Sequence, residues 1–134
     1  MLRMFPEIRS RIKSISFGSV RGAMGEWKSS GNITITNSGL SDYGTGIHEA
    51  SHALDAVRSK KGINYSDTVL IRARKNLKSA VNSKEYGNLC VRMTGKAVFS
   101  NNNPELFAYA METSLGGVRN KLADEVLNIV KGDS

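Results

Sequence analysis

The chain has 134 residues, of which 40% are hydrophobic and 23% charged, with 13 Gly and two Pro. This composition can bury one core, which excludes a disordered chain and a collagen-like repeat, and the length predicts one domain over residues 1–134. The 19 Lys and Arg exceed the 12 Asp and Glu, so the net charge of +7 favours an acidic partner or a nucleic acid. The single cysteine, Cys90, excludes an internal disulfide.

The first residues do not have the pattern of a secretory signal. Pro6 and the surrounding charges interrupt the apolar residues well before a run of about 7–15 is reached. No window approaches the roughly 20 apolar residues that a membrane span requires. We therefore expect a soluble protein without membrane association, located in the cytoplasm of the producing cell.

The first third of the chain carries one helical and one strand pattern. Three isoleucines at helical spacing predict a short amphipathic helix over residues 6–15: Ile8, Ile12 and Ile15. Residues Asn32 to Asn37 alternate polar and apolar side chains, which predicts a strand. Residues 26–28 are the candidate hairpin partner of that strand.

From about residue 45 onward, apolar residues recur mainly at helical spacing, although residues 84–98 are ambiguous. The first predicted helix begins near Thr45 and ends at Lys60-Lys61-Gly62, and Ser66 or Asp67 caps the second. A third helix runs from Asn103-Pro104 to Gly116-Gly117, and the last lies between Val118 and Val130. The fold class that follows is α+β, mostly helical with a small antiparallel or mixed sheet.

The second predicted helix carries the densest basic cluster of the chain, which we call the basic face: Arg72, Arg74, Lys75 and Lys78. Such a cluster is usually a solvated helix face. The alternative is a contact with an anion or a nucleic acid. Both interpretations stay open at the level of the sequence.

Both histidines of the chain lie in one motif, His48-Glu49-Ala50-Ser51-His52. Residues four apart share a helix face, so the two imidazoles can bind one zinc ion at about 2.0–2.1 Å. Glu49 can then reach a water on the open side of the ion and accept its proton. The pattern predicts two ligands and a general base. The alternatives are a surface helix with two unrelated histidines and a folded but inactive zinc site.

A catalytic zinc site needs a third protein ligand, and the chain has no third histidine. Glu105 is the favoured candidate because it lies in the first turn of a strongly predicted helix, where a side chain is held rigidly. Its alternative role is to complement the helix dipole. The other candidates are thiol or carboxylate groups elsewhere in the chain: Cys90, Asp55, Glu85, Glu112 and Glu125.

Two segments carry a resemblance to a known family. Residues 48–55 read HEASHALD and residues 105–110 read ELFAYA. This pairing of HExxHxxD with a later E-x-F-A-E-A helix resembles the zinc peptidase domain of anthrax lethal factor. It is also similar to peptidase-like domains of bacteriophage and mobile-element proteins, which implies a phage-related and virion-associated role. The similarity extends over about residues 25–115, but its specific content is the two short motifs.

The resemblance implies a zincin-like fold and a gluzincin site, with His48, His52 and Glu105 as zinc ligands and Glu49 as the base. It implies that Asn32–Asn37 is the edge strand beside the active-site helix, where an extended substrate would pair. It also implies that Asp55 orients a metal ligand from behind, as metal-binding histidines usually require.

The chain departs from the family pattern at two places. Tyr109 occupies the position of a second glutamate, and the tyrosine of the family falls at Val98, beside Phe99. Neither Val98 nor Phe99 can donate a hydrogen bond to an oxyanion. The donor would then be one of the nearby polar residues: Tyr109, Tyr65, Tyr86, Ser100 or Asn101. We take Tyr109 as the second catalytic residue, after Glu49.

The leading hypothesis is therefore a zinc-dependent metalloendopeptidase that acts on a protein or peptide substrate. The alternative is a catalytically inactive zincin-fold module, either a phage structural protein or a protein that binds a nucleic acid or an acidic partner through the basic face. The sequence leaves the substrate and the oligomeric state open.

Overall fold

The computed structural model describes residues 1, 3–18, 20, 23–36, 43–78, 80–95 and 102–134. Within these ranges the chain forms a short 3₁₀ turn, three strands and five α-helices. Their bounds are Pro6–Ser10 for the turn, Ser14–Phe17 (β1), Gly25–Trp27 (β2), Asn32–Ile35 (β3), Tyr43–Arg58 (α1), Tyr65–Leu77 (α2), Ser83–Thr94 (α3), Asn103–Leu115 (α4) and Lys121–Gly132 (α5). The predicted α+β class, mostly helical with a small sheet, is confirmed.

The three strands form a mixed sheet in the order β1-β3-β2. Strand β2 is antiparallel to β3 and pairs Trp27 with Ile33, which confirms the predicted hairpin. Strand β1 is parallel to β3 and pairs Ile15 with Ile33. The prediction that Asn32–Asn37 is an edge strand is wrong, because β3 has a partner on each side. Strand β2 is the edge that lies beside α1.

The predicted helix over residues 6–15 is also wrong in its second half. Only Pro6–Ser10 is helical, as a 3₁₀ turn that buries Ile8. Ile15 instead belongs to β1 and is exposed. Its pairing partner lies 18 residues away in the chain, and helical periodicity carries no information about such a distant contact.

The helices follow the predicted order, with shifts at their ends. Helix α2 begins at Tyr65 after Asn64, so neither Ser66 nor Asp67 is its N-cap. The ambiguous segment contains α3, which the side chain of Asn82 caps and which ends at Gly95, with φ +71°. Val118 is exposed and precedes α5. None of the described helices has the length and apolar character needed to cross a membrane.

Helix α4 lies at the centre of the helical packing, between α1 and α5. Small residues of these two helices are fully buried, namely Ala53 of α1 and Ala108 and Ala110 of α4. Small side chains let two helix backbones approach closely, and larger ones fill the rest of the core: Leu54, Leu106, Phe107, Met111, Leu122, Val126 and Val130. The packing therefore places the HExxH helix directly against the helix that carries Glu105.

Arg58, in the last turn of α1, bonds to residues near both ends of the chain. Its side chain is 11% exposed and donates to a carboxylate oxygen of Glu7 at 2.6 and 2.9 Å. It also donates to the hydroxyl of Tyr65 at 2.8 Å and to the carbonyl oxygen of Val130 at 2.9 Å. The guanidinium carbon lies 5.4 Å from the centroid of the Phe5 ring. A buried guanidinium with this many acceptors fixes the C-terminal end of α1.

Candidate metal centre

Helix α1 presents the two histidines of the motif on one face, one turn apart. Their ring centroids are 5.1 Å apart, and their side chains are only 12% and 14% exposed. The face is turned toward α4, which lies against α1 along this stretch. The imidazoles of His48 and His52 therefore occupy a sheltered position between two helices.

Glu105 reaches both imidazoles from the first turn of α4. The side chain of Asn102 accepts a hydrogen bond from the backbone nitrogen of Glu105 at 3.2 Å and caps the helix. One carboxylate oxygen of Glu105 lies 2.8 Å from Nε2 of His52, and the other lies 3.4 Å from Nε2 of His48. The predicted start of this helix at Asn103-Pro104 is confirmed.

The donor set fits a zinc ion. One ligand atom from each of His48, His52 and Glu105 lies within 4.8 Å of the others. Ligand atoms bound to one tetrahedral zinc at about 2.0–2.2 Å are separated by about 3–4 Å, so little movement is needed. Two imidazole nitrogens and a carboxylate are also ligands that zinc accepts in catalytic sites. The side chains can hold this metal.

The other ligand candidates contact different groups in the described part of the chain. Asp55 was expected to orient a metal ligand, but one of its carboxylate oxygens accepts from the backbone nitrogen of Ser66 at 2.7 Å. That expectation is wrong, since Asp55 instead holds the first turn of α2 against α1. Glu85 pairs with Lys121, Glu125 bonds to Asn76, and Cys90 is buried.

Glu112 makes the contact that was expected of Asp55. Its Oε2 lies 3.0 Å from Nδ1 of His48, on the opposite side of the ring from the nitrogen that faces Glu105. From the sequence alone, Glu112 was a candidate only for the third ligand. The signal for its position was its spacing of seven residues from Glu105, which places both carboxylates on one face of α4.

The carboxylates beside His48 raise the pKa of its imidazole. Burial alone would lower the pKa of His48, but hydrogen bonds with Glu105 and Glu112 outweigh it and raise that pKa to about 9. Hydrogen bonds from His48 and His52 hold the pKa of Glu105 far below its usual value. Glu105 and Glu112 therefore favour the charged form of the His48 imidazole that lies between them.

Glu49 is buried beneath the sheet. The residue is 6% exposed, and burial raises the pKa of its carboxyl against the opposing effect of the two histidines. Strand β2 approaches it closely at Gly25, where a Cβ atom would lie 3.1 Å from Cγ of Glu49 and 2.7 Å from Cγ2 of Thr45. A raised pKa is typical of a carboxylate that acts as a general base.

Tyr109 packs on His48. The ring centroids lie 4.5 Å apart in an edge-to-face arrangement. Burial and the nearby charges of Glu105 and Glu112 raise the pKa of the phenol, which therefore stays protonated at neutral pH. A protonated phenol beside His48 can donate a hydrogen bond to an oxyanion.

The other described residues considered as oxyanion donors contact groups away from His48. The hydroxyl of Tyr65 donates to Asp133 at 2.8 Å, and burial raises its pKa to about 12. Tyr86 lies under the guanidinium of Arg74 at 4.5 Å. The predictions on Val98, Phe99, Ser100 and Asn101 fall outside the described residues.

The basic face is divided between internal contacts and solvent. Arg72 pairs with Asp133 at 2.9 Å, and Arg74 stacks on the Tyr86 ring. Lys75 and Lys78 are exposed. Half of the face is thus committed to contacts within the chain.

Comparison with protein-family models, with curated proteins and with solved structures found no match to this chain. The similarity to the lethal factor peptidase domain therefore rests on the two sequence motifs. The geometry of His48, His52, Glu105 and Glu49 stands independently of that similarity.

Proposed function

We propose that this chain is a zinc-dependent metalloendopeptidase of the gluzincin type with a zincin-like fold. The observation that carries the proposal is that ligand atoms of His48, His52 and Glu105 lie within 4.8 Å of one another. Glu49 is buried on α1, the helix that carries the two histidines. The three side chains would hold zinc. The substrate would be a protein or peptide, since the two motifs resemble those of a peptidase.

Zinc, when bound, would polarise the scissile carbonyl and make a water molecule more acidic. Glu49 would accept a proton from that water and pass it to the amine that leaves. Burial prepares Glu49 for this role because it raises the pKa of the carboxyl toward the operating pH. Strand β2 holds Glu49 in place and shields it from bulk water, since Gly25 allows close contact.

Tyr109 would stabilise the negative charge that develops on the carbonyl oxygen. We expect Tyr109→Phe to lower kcat by about 10²-fold, the cost of removing one oxyanion donor, with zinc affinity within a factor of about three of the parent. Steady-state kinetics and zinc titration measure the two quantities. An unchanged kcat would assign the oxyanion contact to another residue.

The test of the function is cleavage that depends on the metal. The purified chain is stripped with a chelator, reloaded with one equivalent of zinc and incubated with a peptide library, and cleavage is followed by mass spectrometry. We expect cleavage by the zinc-loaded protein, its loss after chelation and its return on reloading. A zinc-loaded protein that leaves every peptide intact would contradict the proposal.

The second candidate is a binding module without catalysis. The exposed Lys75 and Lys78 favour it, but the internal contacts of Arg72 and Arg74 leave a small basic surface. Binding to DNA that weakens steeply with salt, in a protein that cleaves no peptide, would support this candidate over the peptidase.

A further inference from the structure

The carboxylate of Glu112 contacts His48 at Nδ1, the ring nitrogen that does not face Glu105. Glu105 lies by Nε2 of His48, whereas Glu112 Oε2 lies 3.0 Å from Nδ1 of the same ring. A neutral imidazole carries one proton, and a carboxylate at Nδ1 favours that proton there. The lone pair then remains on Nε2, which points toward Glu105 and His52.

Gly44 provides the space that the Glu112 carboxylate occupies. It lies in the first turn of α1, four residues before His48 and on the same helix face. A Cβ atom at Gly44 would overlap the carboxylate oxygen of Glu112 and would lie 2.9 Å from both Cγ and Cδ. Any side chain at position 44 must therefore displace Glu112 or distort the first turn.

The conformation of the backbone does not explain this glycine. Among the described glycines, a positive φ occurs at Gly31, Gly62, Gly95 and Gly117, and Gly44 is not one of them. Gly46, two residues further along the same turn, has open space around its Cβ position. The close approach of Glu112 therefore distinguishes Gly44 from Gly46.

We propose that Glu112 is the positioning residue of His48, which fixes the ring so that Nε2 faces the metal, and that Gly44 is the residue that permits this contact. The inference rests on the proposed zinc site but does not require peptidase activity. The first turn of α1 adds to the effect, since a helix N-terminus favours a negative charge beside it. Glu112 thus acts on the metal through His48 without ligating it.

The test measures zinc affinity by competition with a chromophoric chelator. We expect Glu112→Ala to raise the zinc Kd by about 10–100-fold, as loss of a carboxylate behind a ligating histidine does. Glu112→Gln keeps a hydrogen-bond acceptor and should recover part of that loss. Gly44→Ala should raise the Kd like Glu112→Ala, whereas the matched Gly46→Ala should leave it unchanged.

Two further measurements separate positioning from a general structural effect. If Gly44 acts only through Glu112, the double variant Gly44→Ala/Glu112→Ala binds zinc no more weakly than Glu112→Ala alone. In ¹H–¹⁵N spectra of the zinc-loaded protein, the Nδ1 proton of His48 should be protected from exchange and should lose that protection in Glu112→Ala. Contact with the Tyr109 ring, 4.5 Å away between centroids, identifies the His48 signals.

The outcomes distinguish this inference from the proposed function. A parent protein that binds no zinc contradicts both proposals. Zinc binding with the parent Kd in Glu112→Ala overturns the positioning role and leaves the peptidase proposal standing. A raised Kd in Glu112→Ala and Gly44→Ala, together with an unchanged Gly46→Ala, supports the positioning role even if no peptide is cleaved.

Discussion

Replacing Glu49 with glutamine is expected to reduce peptide hydrolysis by about 10²–10⁴-fold, the usual contribution of a general base. Glutamine has nearly the same shape, so the close packing of this side chain against Gly25 should persist. It cannot accept the proton of a water, however. The rate of cleavage by the zinc-loaded variant, compared with that of the parent, is the measurement.

The metal content of the same variant provides the control. Zinc should remain at one equivalent in Glu49→Gln, because Glu49 is not in the group of His48, His52 and Glu105. Glu105→Ala should lose zinc. Glu125→Gln removes a carboxylate that bonds to Asn76 on the surface, and it should keep both zinc and activity. Full hydrolysis by zinc-loaded Glu49→Gln would falsify the proposed mechanism.

Replacing Arg58 with methionine is expected to lower the free energy of unfolding by about 2–3 kcal/mol, because several groups that accept hydrogen bonds from its guanidinium lose a charged donor. The side chain is 11% exposed and bonds to Glu7, Tyr65 and Val130. Methionine fills part of the volume between Phe5 and Tyr65 but offers no donor to these acceptors. Urea denaturation measures the loss as a shift of the midpoint.

Arg72→Met is the matched control for this variant. Arg72 also pairs with a carboxylate, Asp133, but its side chain is 47% exposed. Exposed pairs contribute about 0–1 kcal/mol, so the control should lose much less stability than Arg58→Met. Equal losses in the two variants would show that burial of the Arg58 contacts is not what stabilises this end of α1.

The sequence was sufficient for features that depend on local spacing. His48 and His52 share a face because they lie four residues apart on a helix. Glu105 lies in a first turn because Asn103-Pro104 is typical of a helix start. The strand and its hairpin partner followed from alternation over a few residues. Each of these predictions used only residues that are close to one another in the chain.

The features that sequence reasoning missed depend on which elements meet. Helical spacing places Glu112 on the face of Glu105, but it does not say that His48 packs opposite. Asp55 has the spacing of a residue behind a metal ligand, yet the path of the chain after α1 brings the nitrogen of Ser66 to it. Ile15 has helical spacing, yet β3 provides a strand partner. In all three cases, the contact depends on the packing of segments that are distant in the chain.

The central position of α4 has a consequence for how the molecule opens. The helix carries Glu105 on one face and buries Leu106 and Phe107 on the other, between α1 and α5. Amide hydrogens in such a helix exchange with solvent only when the fold as a whole opens, whereas a short strand at the edge of a sheet opens locally. The position of the candidate ligand Glu105 thus shares the stability of the core. Local opening is therefore expected on the sheet side, where β2 covers Glu49.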